Sequence, residues 1–73
     1  AMNMQDLNKM EDAAGTAGDL LMAAICQIAQ FGEVREGTLE VLSDAECAKV
    51  SGMTQDQARA ICADVFYGKE HMQ

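Results

Sequence analysis

Proline is absent, histidine occurs once, and Lys and Arg number five against twelve Asp and Glu. Each shortage narrows what the chain can be. Without proline, breaks between elements fall to glycine, and six glycines are spread along the sequence. The single histidine, His71, leaves little for acid–base chemistry. A Cys62–His71 nucleophile–base pair can be drawn, but no residue stands out for the orienting group and oxyanion site it would need. No catalytic residue is therefore expected, and the chain reads as non-enzymatic. The cations Lys9, Arg35, Lys49, Arg59 and Lys69 are scattered. They offer few of the phosphate contacts that supply most nucleic-acid affinity.

Long apolar runs are missing too. The longest stretch, Leu20 to Cys26, resumes after Gln27 only as Ile28 and Ala29. It falls short of the roughly 20 residues a spanning helix needs, so no membrane partner is expected. It also lacks the preceding basic segment of a signal peptide. Ala1 ahead of Met2 reads as an expression remnant. Cys26, Cys47 and Cys62 make an odd set with no CxxC or CxH spacing, which argues against zinc and against a closed disulfide framework. Each lies among apolar neighbours, where a thiol serves as a small hydrophobe, and the set suits a reducing, cytoplasmic compartment. "GTAG" at 15–18 lacks the lysine and the length of a phosphate loop, and the acids never fall at calcium-loop spacing. No metal and no cofactor is expected.

What is present is a globular composition, 49% apolar and 23% charged, with a net charge of −7. At 73 residues the chain is one domain, and a chain this short buries only about 60% of its unfolded surface. Small domains often add oligomerisation to a marginal core. The acidity maintains solubility; it also suits docking on a basic protein surface.

Helical periodicity organises the chain. Over 4–14, Met4, Leu7, Met10 and Ala14 share one side, and residues 1–15 read as a mobile or docking segment. Three of the six methionines, Met2, Met4 and Met10, fall there. The others are Met22, Met53 and Met72, and methionine serves both core filling and adaptable binding surfaces. A second helix, N-capped by Thr16 or Asp19, runs to Phe31. Leu20, Leu21, Ala24, Ile25, Ile28 and Phe31 cover most of its circumference, and Gln27 with Gln30 marks a polar strip. A helix apolar nearly all round has to be covered nearly all round, and two neighbours are expected to cover only part of it. Leu20, Leu21, Ile25, Ile28 and Phe31 are thus the expected protein-binding or homodimer surface. Residues 33–41 form a connector, either a short extended piece or another turn of helix.

The last two helices are the best marked. Ser43 with Glu46, and Thr54 with Gln57, are capping boxes, which set helix starts at Asp44 and Gln55. Gly52 and Gly68 are placed as helix-ending glycines, giving helices over 44–51 and 55–67. Cys47, Ala48 and Val50 supply the apolar side of the first. Ala58, Ile61, Cys62, Val65 and Phe66 form a core stripe on the second.

The stretch "CAKVSGMTQDQARAI", Cys47 to Ile61, resembles the helix-turn-helix of phage-repressor-like and sigma-factor-like regulators. Ala48 stands where a small residue lets the second helix cross, Gly52 where the turn needs one, and Ala58 with Ile61 where apolar residues lock the pair. The resemblance covers about a fifth of the chain and implies a second helix presented to the major groove. Thr54, Gln55, Asp56, Gln57 and Arg59, with Lys49 on the first helix, would then face bases or backbone. Two departures stand out: Asp56 and Asp64 share that helix with Arg59, and Ser51 stands where an apolar residue often closes the turn.

The expectation is therefore one compact all-α domain, 1–73, of three to four helices, with a helix-turn-helix-like hairpin over 43–67. Its expected function is that of a small regulatory protein of phage or bacterial character that binds another protein, docking on a basic surface of that partner, alone or as a homodimer through its apolar central helix. The alternative is a dimeric DNA-binding transcriptional regulator; a third reading is a structural subunit of a larger assembly.

Overall fold

The computed structural model describes residues 2–71, with side chains to Gly68, and within that span every regular element is an α-helix. There are five: α1 Met4–Ala17, α2 Leu20–Phe31, α3 Glu36–Leu39, α4 Asp44–Val50 and α5 Gln55–His71. The extra helix beyond the expected three or four is α3, a single turn inside the 33–41 connector. The expected ending at Gly68 fails, because α5 runs through it to His71. The His71 side chain and Met72 lie outside the described residues.

Each start has a chemical cause. Asn3 accepts a hydrogen bond from the Asp6 backbone N–H at 2.8 Å, and Asp19, not Thr16, does the same for Met22 at 3.1 Å. Both capping boxes form. Ser43 Oγ accepts from the Glu46 N–H while Glu46 accepts from the Ser43 N–H, and Thr54 and Gln57 repeat the exchange. Such a cap is worth about 1 kcal/mol. Helix α1 continues past the expected 14, through Gly15 and Thr16, and stops only at Gly18. There φ is +77° and the N–H of Gly18 bonds the Ala14 and Gly15 carbonyls. That left-handed residue lets the chain reverse at once into α2. Gly52, at φ +78°, turns α4 toward α5.

Helix α2 is the axis of the molecule. It packs along α1 on one side and α5 on the other, with lighter contacts from α3 and α4. Every residue from Ala23 to Gln30 is buried. This overturns the expectation that two neighbours would leave much of α2 uncovered. The small residues Ala24, Cys26 and Ala29, all fully buried, allow that close enclosure. Leu7 and Ala14 of α1, Leu42, Val50 of α4, and Ala58 and Cys62 of α5 complete the core. Met10, Met22, Met53, Cys47 and Ile61 pack around its edge.

The polar strip is also revised. Gln27 and Gln30 are 4% and 7% exposed and form a hydrogen-bonded node inside the protein. Gln27 Nε2 donates to Thr38 Oγ1 at 2.8 Å and to Glu11 Oε2 at 3.2 Å, and its Oε1 accepts the Arg35 backbone N–H at 2.8 Å. Gln30 Nε2 donates to Glu11 Oε1 at 2.7 Å and to the Cys26 carbonyl at 3.0 Å. Burying amides so deeply is tolerable because they find partners; among the described residues no buried side-chain polar atom lacks one. The node also explains α3: Gln27 holds the start of that turn at Arg35 and its interior at Thr38.

Candidate protein-docking groove

The apolar stripe of α5 divides after Cys62. Ala58 and Cys62 are fully buried and Ile61 is half-buried, but Val65 and Phe66 are 52% and 41% exposed. The two helices run antiparallel: Arg59 meets Ala29, Cys62 meets Cys26, and Val65 and Phe66 line a hollow with Met22 and Asp19. Val65 and Phe66 thus lie beside the first turn of α2, on the side that faces α1 across an open hollow.

This hollow is a groove of about 440 Å³ lined by Met10, Ala13, Ala14 and Ala17 of α1, Asp19 and Met22 at the start of α2, and Val65 and Phe66. Its floor is alanine and methionine, its outer wall Val65 and Phe66. Phe66 is held edge-on against Tyr67, ring centroids 5.0 Å apart, which limits its freedom. Among the described residues Asp19 is the one charged side chain lining the groove; Glu11, Asp12 and Asp64, and also Lys9, each adjoin a lining residue in sequence. Shallow apolar concavity, methionine and acid at the rim together suit a partner segment with an apolar stripe and basic flanks.

The expected α2 surface is distributed differently. Ile25 and Ile28 are core residues, Leu21 is half-buried, and only Leu20 and Phe31 are exposed, at 36% and 47%. They sit at opposite ends of α2, and Phe31 already stacks beneath the Arg35 guanidinium, 4.8 Å from its ring centre. No continuous seam remains along this helix.

The residues of the helix-turn-helix resemblance are largely engaged within the chain. Gln55 Nε2 donates to the Ala29 and Gln30 carbonyls at 3.1 and 3.3 Å, and Arg59 Nε donates to the Ala29 carbonyl at 2.8 Å. A cation and an amide thus satisfy the carbonyl end of α2, where the helix dipole is negative. Thr54 and Gln57 are occupied by their capping box. Lys49 lies beside Ser51, Gly52, Met53 and Gln57 around a separate, more polar hollow. Ala48 is exposed, and the main contacts of α5 are with α2 and not with α4. The close α4–α5 crossing that a helix-turn-helix requires is therefore not confirmed, although its glycine turn and both caps are present.

No group of three or more metal-binding side chains occurs among the described residues, and no helix there is long and apolar enough to cross a membrane. No protein-family model matches this chain, nor does any curated protein or solved structure.

Proposed function

We propose that this is a small, non-enzymatic regulatory protein that acts by binding another protein, and that the groove between α1 and the Val65–Phe66 turn of α5 receives a basic amphipathic helix of that partner. The observation that carries this reading is the exposure of Val65 and Phe66 at the end of an otherwise buried stripe, opposite Met10 and Met22. A net charge of −7 steers a cationic segment toward the molecule, and the apolar floor then supplies the affinity. Self-association along α2 has less behind it, since Leu20 and Phe31 stand roughly 16 Å apart along the helix with buried residues between them. The DNA-reading alternative keeps its glycine turn and both caps, but Thr54, Gln55, Gln57 and Arg59 each spend a side-chain group on a hydrogen bond within the chain.

The test uses a helical peptide with leucine at i, i+3, i+4 and i+7 and lysine elsewhere as a stand-in for the partner. The wild-type chain is expected to bind it more weakly as salt rises, and not to bind the same peptide with glutamate in place of lysine. Phe66→Glu removes an aromatic anchor whose full burial is worth about 1.5–3 kcal/mol, so binding should weaken roughly ten- to a hundredfold. Phe66 is exposed, so helicity by circular dichroism should be unchanged. Equal affinity of wild type and Phe66→Glu would move the docking surface elsewhere.

A further inference from the structure

Beneath the groove, Cys26 of α2 faces Cys62 of α5. Both are fully buried, and their sulfurs lie 3.9 Å apart in a weak S–H···S contact. The two residues are 36 apart in sequence, and both thiols are free. Cys47, the third thiol, is half-buried and lies near the Leu39 carbonyl at 3.9 Å, so it is not part of this pair. We propose that Cys26 and Cys62 are an oxidisable pair, converted by hydrogen peroxide into a disulfide that joins α2 to α5.

Geometry makes the step short. A disulfide needs its sulfurs about 2.05 Å apart, so each has to move by roughly 0.9 Å from the 3.9 Å contact. The neighbours distinguish the two sulfurs. Cys26 is pushed well above the ordinary thiol value by its contact with Cys62, by burial, and by the negative charges of Cys62, Glu11 and Asp19. Cys62 is lowered by its contact with Cys26, against burial, which raises it. Cys62, the sulfur held lower, takes the role of nucleophile in this pair.

The chemistry balances with peroxide as the one co-reactant. The Cys62 thiolate attacks a peroxide oxygen, the O–O bond breaks, and hydroxide leaves; Cys62 becomes a sulfenic acid. Hydroxide takes up a proton to become water. The Cys26 sulfur then attacks the Cys62 sulfur, the S–S bond forms as the S–O bond breaks, and the departing hydroxide takes the Cys26 proton to form a second water. Two thiols lose two electrons and two protons, and one peroxide becomes two waters. Peroxide, close to water in size, is the oxidant best able to enter a closed core during brief openings of α5.

The experiment is peroxide treatment of the full chain carrying Cys47→Ser, well below its melting temperature, followed by unfolding, thiol alkylation and intact mass. The oxidised protein should be lighter by two hydrogens, take up no alkyl group at Cys26 or Cys62, and recover both sites on reduction. Its melting temperature should rise by roughly 10 °C or more and fall back with reductant. In Cys26→Ala on the same background, no internal bridge should form and peroxide should leave the melting temperature unraised. Full alkylation of both cysteines after treatment, or a bridge that lowers the melting temperature, would overturn the proposal.

Discussion

Leu7→Ala is expected to remove about 2–5 kcal/mol of stability. Leu7 is 1% exposed and is among the largest fully buried side chains in the molecule. Helix α1 is attached mainly through α2, and Leu7 is its one large residue sunk completely into that contact. Truncation removes transfer free energy and leaves a cavity that two rigid helices close only in part. A domain of 73 residues has a total stability of roughly 4–11 kcal/mol, so the loss is a large share of the whole. In thermal denaturation the midpoint should fall by roughly 10–30 °C. Met4→Ala is the internal comparison: on the same helix but 46% exposed, it should shift stability by no more than about 0.5 kcal/mol. If the two substitutions proved equally mild, α1 would not be docked as described.

Gln27→Leu should cost about 2–3 kcal/mol, although it places a hydrophobic residue at a buried position. The substitution deprives three groups at once: the Arg35 N–H loses its acceptor, and Thr38 and Glu11 lose a donor. Unpaired groups in a low-dielectric interior cost more than the apolar side chain returns. The cost is bounded because Arg35 and Glu11 reach partly to solvent, where water replaces a share of the lost bonds. Glu11→Ala alone should cost about 1–2 kcal/mol, and less in the Gln27→Leu background, since part of the network is then already broken. Urea unfolding of the single and double variants measures the difference. Strict additivity of at least two independent losses would show that Glu11 and Gln27 do not act as one unit.

The elements and the interior differ in how openly the sequence declares them. Ser43–Glu46 and Thr54–Gln57 announce helix starts because capping is chemistry between residues three apart, and both boxes form as spaced. Gly52 is legible for the same local reason. Gly15 and Gly68 mislead: each has room for a helix to continue, and a glycine inside a helix costs only about 1 kcal/mol, which neighbouring contacts override. Gln27 and Gln30 mislead more, because an amide on a helix reads as its wet side. Their real partners, Glu11 and Thr38, lie 11 to 19 residues away. Nothing local marks such a bond.

The groove was half visible. Ala58, Ile61, Cys62, Val65 and Phe66 were legible as one stripe, but a stripe says only which side is apolar, not which part of it a neighbour covers. The placing of α1 against α2 and α5 decides that, and it leaves Val65 and Phe66 beside an open hollow. Met10 and Met22 were legible as adaptable apolar residues without any sign that they share a surface. Arg59 shows the converse limit. Its charge draws attention to solvent and phosphate, while in the fold its Nε is spent on the Ala29 carbonyl, 30 residues earlier in the chain.

The enclosure of α2 has a consequence for how this sequence can change over time. From Ala23 to Gln30, no position faces outward, so no substitution there is free: a larger side chain pushes α1 or α5 away, and a smaller or apolar one empties a contact or strands an amide. The outward faces of α1, α4 and α5 carry no such restriction. Drift should therefore accumulate around an unchanging "AAICQIAQ" centre. Three of its eight residues are alanine. The segment least free to vary is therefore short and carries little side-chain variety, so descent in this lineage would be traced better through the spacing of its caps and buried glutamines than through overall similarity.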